Sequence, residues 1–185
     1  MKSLAVARDL RPFFVVHPNC LEDLDPLPSI SDDFNCVVLG DAADGFTFET
    51  LNRAFRILMK SEGNQLYSLG KGKYYQEDGE LTLDVGAFAA ALEYSSERKA
   101  VVCGKPSADF FNSALQDMGL SPSDALMVGD DVVSDVGGAQ KCGMQGVLVR
   151  TGKFRPRDES HPEVTPNAIV ENLAEIAKRL VESRK

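Results

Sequence analysis

The sequence of 185 residues predicts an α/β fold built on parallel sheets. Several short apolar runs lack the polar alternation of half-buried strands, which is typical of strands covered on both faces. Segments with apolar residues at helical spacing lie between these runs. Because the two kinds of segment alternate along the chain, we expect repeated strand–helix units.

Five apolar runs are the candidate strands: residues 13–16, 36–39, 100–103, 126–128 and 146–149. Three segments with helical periodicity are the candidate helices: residues 48–59, 107–118 and 172–181. Gly119 directly follows the second of these segments and predicts its C-terminal end.

A division between two lobes is expected near residue 97. Residues 1–97 have a strand–helix alternation of their own and contain the loop G-K-G-K-Y-Y-Q-E-D-G at residues 70–79. Residues 98–185 contain three strand–helix units in short succession. We therefore predict two α/β lobes, 1–97 and 98–185.

Composition argues against several classes of partner. The net charge of −8 and the isoelectric point near 4.8 disfavour binding to nucleic acid or to an anionic membrane. No apolar stretch approaches the length of a membrane span. The four cysteines are far apart and never form C-x-x-C. They predict the reduced thiols of a cytosolic protein, not a zinc site or a disulfide framework.

A candidate phosphate and metal site combines one lysine with three aspartates. Lys105 follows the candidate strand 100–103, and Asp130 and Asp131 follow the next candidate strand, with Asp135 four residues further on. Because neighbouring parallel strands bring their carboxyl ends to one crevice, we expect the lysine to face the aspartates. Aspartate oxygens suit Mg²⁺, which often bridges to phosphate, and a lysine supplies a mobile positive charge. The pattern therefore predicts a phosphoryl site in which metal and ammonium both neutralise charge.

Structural roles are the alternative interpretation of the same residues. A lysine after a strand is commonly a solvated surface charge, and adjacent aspartates commonly form turns or helix caps. Asp131 in particular is placed to cap a helix that starts near Val132. The combination of G-K-P with G-D-D-x-x-x-D, about 25 residues later and with one helix between, favours the site.

The two motifs resemble the third and fourth motifs of the haloacid dehalogenase superfamily. They are V-V-C-G-K-P-S at residues 101–107 and M-V-G-D-D-V-V-S-D-V-G-G-A at residues 127–139. Further stretches, such as S-L-G-K-G-K-Y-Y and V-R-T-G-K-F-R-P, extend the resemblance over about residues 10–180. The chain is similar to members of the superfamily that carry a C2-type cap.

The resemblance implies a fold and a set of roles. Residues 98–185 would be the C-terminal part of a Rossmannoid catalytic core, and residues 1–97 a substrate-selecting C2-type cap. Lys105 would steady the transferred phosphoryl group and the nucleophile. Asp130 would bind Mg²⁺, with Asp131 and Asp135 as supporting carboxylates through water or neighbouring groups. The implied activity is hydrolysis of phosphoamino (P–N) and pyrophosphate bonds, by a homodimer in the cytoplasm or nucleus.

The superfamily also requires a nucleophilic aspartate in a D-x-[DS]-G-[TV] loop, which forms an aspartyl phosphate. In the resembling enzymes this loop precedes the cap, so we expect the chain to begin inside the cap and to lack it. The isolated chain would then be inactive, and the strand that ends at Asp130 would have an exposed edge. A regulatory or phosphate-binding role without catalysis is the alternative function.

One segment imitates the missing loop. V-V-L-G-D-A-A-D-G-F-T, residues 37–47, places Asp41 after a candidate strand, and Ser68 further on could grip a phosphate. The chain would then be a small phosphatase complete in itself. Asp41 and Asp44 are three residues apart where the loop requires two, which argues against this alternative.

The basic segment V-R-T-G-K-F-R-P-R, residues 149–157, predicts a solvated loop near the pocket or a dimer surface. Its charge is modest in a chain that is acidic as a whole, so nucleic-acid binding is not indicated. His17 and His161 are too far apart in sequence to suggest a metal pair, and neither is expected to be catalytic.

Overall fold

The computed structural model describes residues 10–24 and 33–182. The chain divides into two compact units. The first unit comprises the chain up to Tyr74 together with Leu83–Gly104. The second unit comprises Tyr75–Thr82 and the chain from Lys105 onward. This boundary lies later than the expected 97/98, because the strand Val101–Val102 pairs within the first unit's sheet.

Parallel strands form the sheet of the first unit, in the order β1-β2-β3-β6. The elements as far as residue 104 are, in chain order, β1 (Pro12–Val15), α1 (Leu21–Leu24), β2 (Cys36–Leu39), α2 (Phe48–Lys60), β3 (Gln65–Ser68), β4 (Tyr74–Glu77), β5 (Glu80–Leu83), α3 (Val85–Ser96) and β6 (Val101–Val102). All four residues of β2 are buried, as expected for a strand covered on both faces.

Side-chain caps begin the two long helices of this unit. The Thr47 hydroxyl accepts a hydrogen bond from the Thr50 N–H at the start of α2, and the Asp84 carboxylate accepts one from the Val85 N–H at the start of α3. Leu58 of α2 is fully buried in a cluster with apolar side chains of β2 and α3.

The strands β4 and β5 form a separate hairpin that turns at Asp78 and Gly79, both with positive φ.

A second parallel sheet, in the order β7-β8-β9, organises the other unit. The elements from residue 105 onward are α4 (Ala108–Met118), β7 (Leu126–Gly129), a π-helix (Val132–Gly137), α5 (Gly138–Lys141), β8 (Gln145–Val149), β9 (Ala168–Val170) and α6 (Leu173–Glu182). Gly119 ends α4 in the left-handed conformation with φ 66°, which confirms the predicted stop.

Strand β7 lies at an edge of this sheet. Within residues 10–24 and 33–182 it pairs with β8 alone, and its four residues are half-buried. Four of the five residues of β8 are buried, since β8 has neighbours on both sides. No helix in these ranges is long and apolar enough to cross a membrane.

Candidate functional site

Lys105 and Asp135 form an ion pair in the second unit. The Lys105 Nζ lies 2.7 Å from Oδ1 of Asp135, whose side chain is only 4% exposed. The angles of this contact do not meet those of a hydrogen bond, so the buried Oδ1 has no hydrogen-bond partner among the described residues. The other oxygen, Oδ2, accepts a hydrogen bond from the backbone N–H of Asp131. Asp135 is therefore a buried carboxylate whose main compensation is the lysine charge.

The route by which Lys105 reaches the aspartates differs from the predicted one. We expected Lys105 to follow a strand that neighbours β7 in one sheet, and this is wrong. The preceding strand, β6, pairs with β3 in the first unit. Lys105 instead precedes α4, which packs against the start of α5 at Gly138, and the Lys105 Nζ lies beside Asp135.

Gly138 permits that packing. A Cβ built at Gly138 would lie 2.7 Å from the Cε2 atom of Phe111 and 3.0 Å from the Cβ of Pro106. No larger residue fits without moving one of these neighbours. Gly138 thus allows Pro106, the residue after Lys105, to approach the start of α5, which directly follows the π-helix that carries Asp135.

Asp131 caps the π-helix, which confirms the structural interpretation of this residue. Its Oδ1 accepts hydrogen bonds of 2.9 Å from the N–H groups of Val133 and Ser134. Its Oδ2 lies 2.7 Å from Nζ of Lys153, in a pair whose side chains are 16% and 15% exposed. Burial raises the pKa of Asp131, but the Lys153 ammonium and the Ser134 donor outweigh it, and the net pKa is lowered.

Asp130 is held by the backbone of a distant turn. Its Oδ2 accepts a hydrogen bond of 2.8 Å from the Lys153 N–H. Gly152 lies so close that a Cβ there would be 2.0 Å from the same oxygen, and its φ is 59°. The remaining oxygen of Asp130, Oδ1, makes no hydrogen bond or ion pair within the described chain, which leaves it available to a cation.

Residues 102–176 match a family model described as HAD-hydrolase-like. All five charged residues of the site lie inside this match: Lys105, Asp130, Asp131, Asp135 and Lys153. This segment is therefore similar to the haloacid dehalogenase-like hydrolases.

Relatives carry the likeness over almost the entire chain. The chain is 51% identical over 177 residues to the phospholysine phosphohistidine inorganic pyrophosphate phosphatase of Xenopus laevis, covering 96% of this chain and 65% of that protein. The protein of the same name from Homo sapiens is 49% identical over 173 residues, covering 94% and 63%. The chain therefore spans a little under two thirds of the length of these curated relatives.

Solved structures show the same fold. A 4-nitrophenylphosphatase from Thermotoga maritima superposes with a TM-score of 0.81 at 26% identity, over 96% of this chain and 69% of that one. A p-nitrophenyl phosphatase from Archaeoglobus fulgidus has a TM-score of 0.79 at 22% identity, over 96% and 71%. The predicted haloacid dehalogenase-like α/β fold is thus confirmed.

The segment that imitates the family's nucleophile loop belongs to the first unit. Oδ1 of Asp41 accepts a hydrogen bond from the Ala43 N–H in a local turn. Ser68 is fully buried, and its hydroxyl donates to the carbonyl of Gly70. A hydroxyl in that environment is not accessible to a phosphate, which removes the second residue of the small-phosphatase alternative.

The donors present fit a haloacid dehalogenase-like Mg²⁺ site that relies on few protein ligands. Mg²⁺ commonly takes one or two carboxylates and completes its shell with water and substrate phosphate. Asp130 offers one unpaired oxygen, while Asp131 and Asp135 are each paired with a lysine. No group of three or more His, Cys, Asp or Glu side chains in the described ranges is arranged to hold a metal ion by itself.

Lys153 is the site residue that sequence reasoning missed. The segment 149–157 was expected to be solvated, yet the Lys153 side chain is largely buried against Asp131. Phe154, the next residue, packs on a cluster that includes Val132 and Val136 of the π-helix. An aromatic residue among the cations was the one signal in the sequence that this loop folds back onto the protein.

Proposed function

We propose that the chain carries the phosphate- and Mg²⁺-binding part of a phosphatase for phosphoamino and pyrophosphate bonds. The chain from Lys105 onward, slightly later than the predicted start at residue 98, would serve as the catalytic core part, and the first unit would serve as the cap. The names of the relatives that are about half identical support the substrate class. The observation that carries the proposal is the Lys105–Asp135 ion pair, inside the family match and close in sequence to an aspartate with an unpaired oxygen.

The side chains divide the work of binding a phosphoryl group. Lys105 is 42% exposed, so its ammonium can meet phosphate oxygens while Asp135 holds it in place. Oδ1 of Asp130 would hold Mg²⁺, and Asp131 and Asp135 would support it indirectly. The metal, when bound, supplies charge neutralisation for the phosphate oxygens. Asp131 keeps the π-helix capped and so fixes the backbone between Asp130 and Asp135.

We also propose that the isolated chain does not hydrolyse these substrates. No D-x-[DS]-G-[TV] loop occurs in the sequence, and Asp41 and Ser68 are both engaged in local turns. A phosphate-binding or regulatory role without catalysis is the second candidate, and the intact lysine–carboxylate site favours it for this chain alone. A homodimer and a cytoplasmic or nuclear location belong to the proposal on the strength of the resemblance.

The first experiment measures phosphate release from imidodiphosphate and pyrophosphate with Mg²⁺, alongside calorimetric binding of inorganic phosphate. We expect no turnover above the Lys105→Ala variant, and Mg²⁺-dependent phosphate binding that Asp130→Asn abolishes. Turnover well above that control would show that the nucleophile lies in this chain, with Asp41→Asn as the next variant. Absence of phosphate binding would refute the proposed site.

A further inference from the structure

Lys153 contacts both members of the aspartate pair, through different atoms. Its backbone N–H donates to Oδ2 of Asp130, and its side-chain Nζ lies 2.7 Å from Oδ2 of Asp131. We propose that the Lys153 ammonium is a specificity-determining group: it keeps Asp131 out of the cation site, so that the site favours Mg²⁺ over Ca²⁺. This inference rests on the proposed function, since it concerns the same cation.

The carboxylate oxygens of Asp130 and Asp131 differ in how many are left to bind a cation, and Lys153 causes part of this difference. Asp131 uses Oδ1 to cap the π-helix and Oδ2 to bind Lys153, so neither oxygen is left over. Asp130 has one oxygen bound to a backbone N–H and therefore presents the other alone. A single carboxylate oxygen suits Mg²⁺, which keeps most of its water. Ca²⁺ prefers six to eight oxygen ligands, often with a bidentate carboxylate, and its affinity rises with the number of charged ligands.

Removal of the Lys153 charge would change the preference for Mg²⁺ over Ca²⁺ through Asp131 alone. The Asp131 side chain is only 16% exposed, so losing its counter-ion leaves a largely buried charge without compensation. A divalent cation bound at Asp130 could then neutralise the negative charge on Oδ2 of Asp131. Orientation of Asp130 is unaffected by a side-chain substitution at Lys153, because the hydrogen bond comes from the backbone.

The test compares Mg²⁺ and Ca²⁺ as competitors for Mn²⁺ bound to the full 185-residue chain, with free Mn²⁺ followed by electron paramagnetic resonance. In Lys153→Met we expect Ca²⁺ to compete about tenfold better, with Mg²⁺ changed by less than about threefold, because added ligand charge favours the larger ion. Lys153→Arg should restore the original ratio. Lys178→Met, which removes a surface lysine paired with Glu182, is the matched control.

A double variant tests whether the gain in Ca²⁺ affinity of Lys153→Met depends on the Asp131 carboxylate. Asp131→Asn keeps a helix-capping oxygen but removes the charge, so Lys153→Met combined with Asp131→Asn should lose the gain in Ca²⁺ affinity. If Lys153→Met does not fold by circular dichroism, Lys153→Gln provides the same comparison.

Two results would overturn the inference while leaving the proposed function intact. One is an unchanged ratio of the two affinities in Lys153→Met. The other is an equal loss of both, which is the usual effect of removing a group that only orients a ligand. If the unaltered chain binds no Mn²⁺, or if Asp130→Asn does not weaken its binding, the cation site itself is wrong and both proposals fall.

Discussion

Gly152 lies directly against the carboxylate of Asp130. A Cβ at this glycine would be 2.0 Å from Oδ2, the oxygen that accepts the N–H of Lys153. Because the φ of Gly152 is also positive, both the space and the backbone conformation favour glycine at this position. The turn therefore sets the position of the aspartate proposed to bind the metal.

Replacing Gly152 with alanine should displace Asp130 and weaken divalent-cation binding by about tenfold or more. Mn²⁺ titration followed by electron paramagnetic resonance gives the affinity. Gly119→Ala is the matched control, since Gly119 has a similar φ of 66° but nothing within 4 Å of an added Cβ. Both variants should lose about 1–2 kcal/mol of stability from the left-handed backbone. Equal cation affinity in the two variants would contradict the role of the contact.

Asp131 should make stability depend on pH at the acid end. Its pKa in the folded protein lies below the ordinary value of 3.8, so the carboxylate stabilises the fold above that pH. The stabilisation is lost as the pH falls through the lower folded-state pKa. Urea unfolding should show the unaltered chain more stable than Asp131→Asn at pH 7, with the difference closing below pH 3.8.

Lys153 is responsible for much of this effect, and its removal provides the check. In a Lys153→Met background, Asp131→Asn should change the free energy of unfolding at pH 7 much less than it does in the unaltered chain. The Asp131–Lys153 pair would be ruled out as the source if the effect of Asp131→Asn on the free energy of unfolding were as large at acid pH as at pH 7. It would also be ruled out if that effect were the same with and without the Lys153 side chain.

Gly138→Ala should force α4 away from α5, because the added Cβ would lie 2.7 Å from the Phe111 ring. We expect a loss of about 1–3 kcal/mol in the free energy of unfolding, the usual cost of overpacking. Phosphate affinity should fall as well, since Lys105 adjoins this contact. Phe111→Leu in the same chain should recover part of the stability. Gly63→Ala, where the nearest atom is 3.8 Å away, should be close to neutral.

Arg150 joins two separate segments through Glu159 and Glu171, and both hydrogen bonds raise the pKa of its guanidinium. Arg150→Met should reduce stability only modestly, because exposed ion pairs contribute little to the free energy of unfolding. The loss should shrink in 1 M salt, where charges are screened. Lys178→Met, which breaks an exposed pair within one helix, should cost less. Thermal unfolding at two salt concentrations distinguishes these outcomes.

The features that could be predicted from sequence depend on neighbours along the chain. The buried strand at residues 36–39 was recognisable because a strand covered on both faces needs an unbroken apolar run. Gly119 and Asp131 were recognisable as a helix stop and a helix cap, since both act on backbone groups within a few residues. Strand β9 and the hairpin of β4 and β5 were not predicted, because their short runs carry weak periodic signals.

The sequence by itself thus determined the α/β class, the local caps and the residues from which a phosphate and metal site would be built. Only the tertiary structure decided how they meet. It placed β6 in the first unit's sheet, brought Lys105 to Asp135 through the packing of α4, and set Lys153 against Asp131. These contacts join residues more than 20 positions apart in the chain. Such pairs leave no periodic trace, because their geometry depends on how whole elements pack and not on the residues beside them.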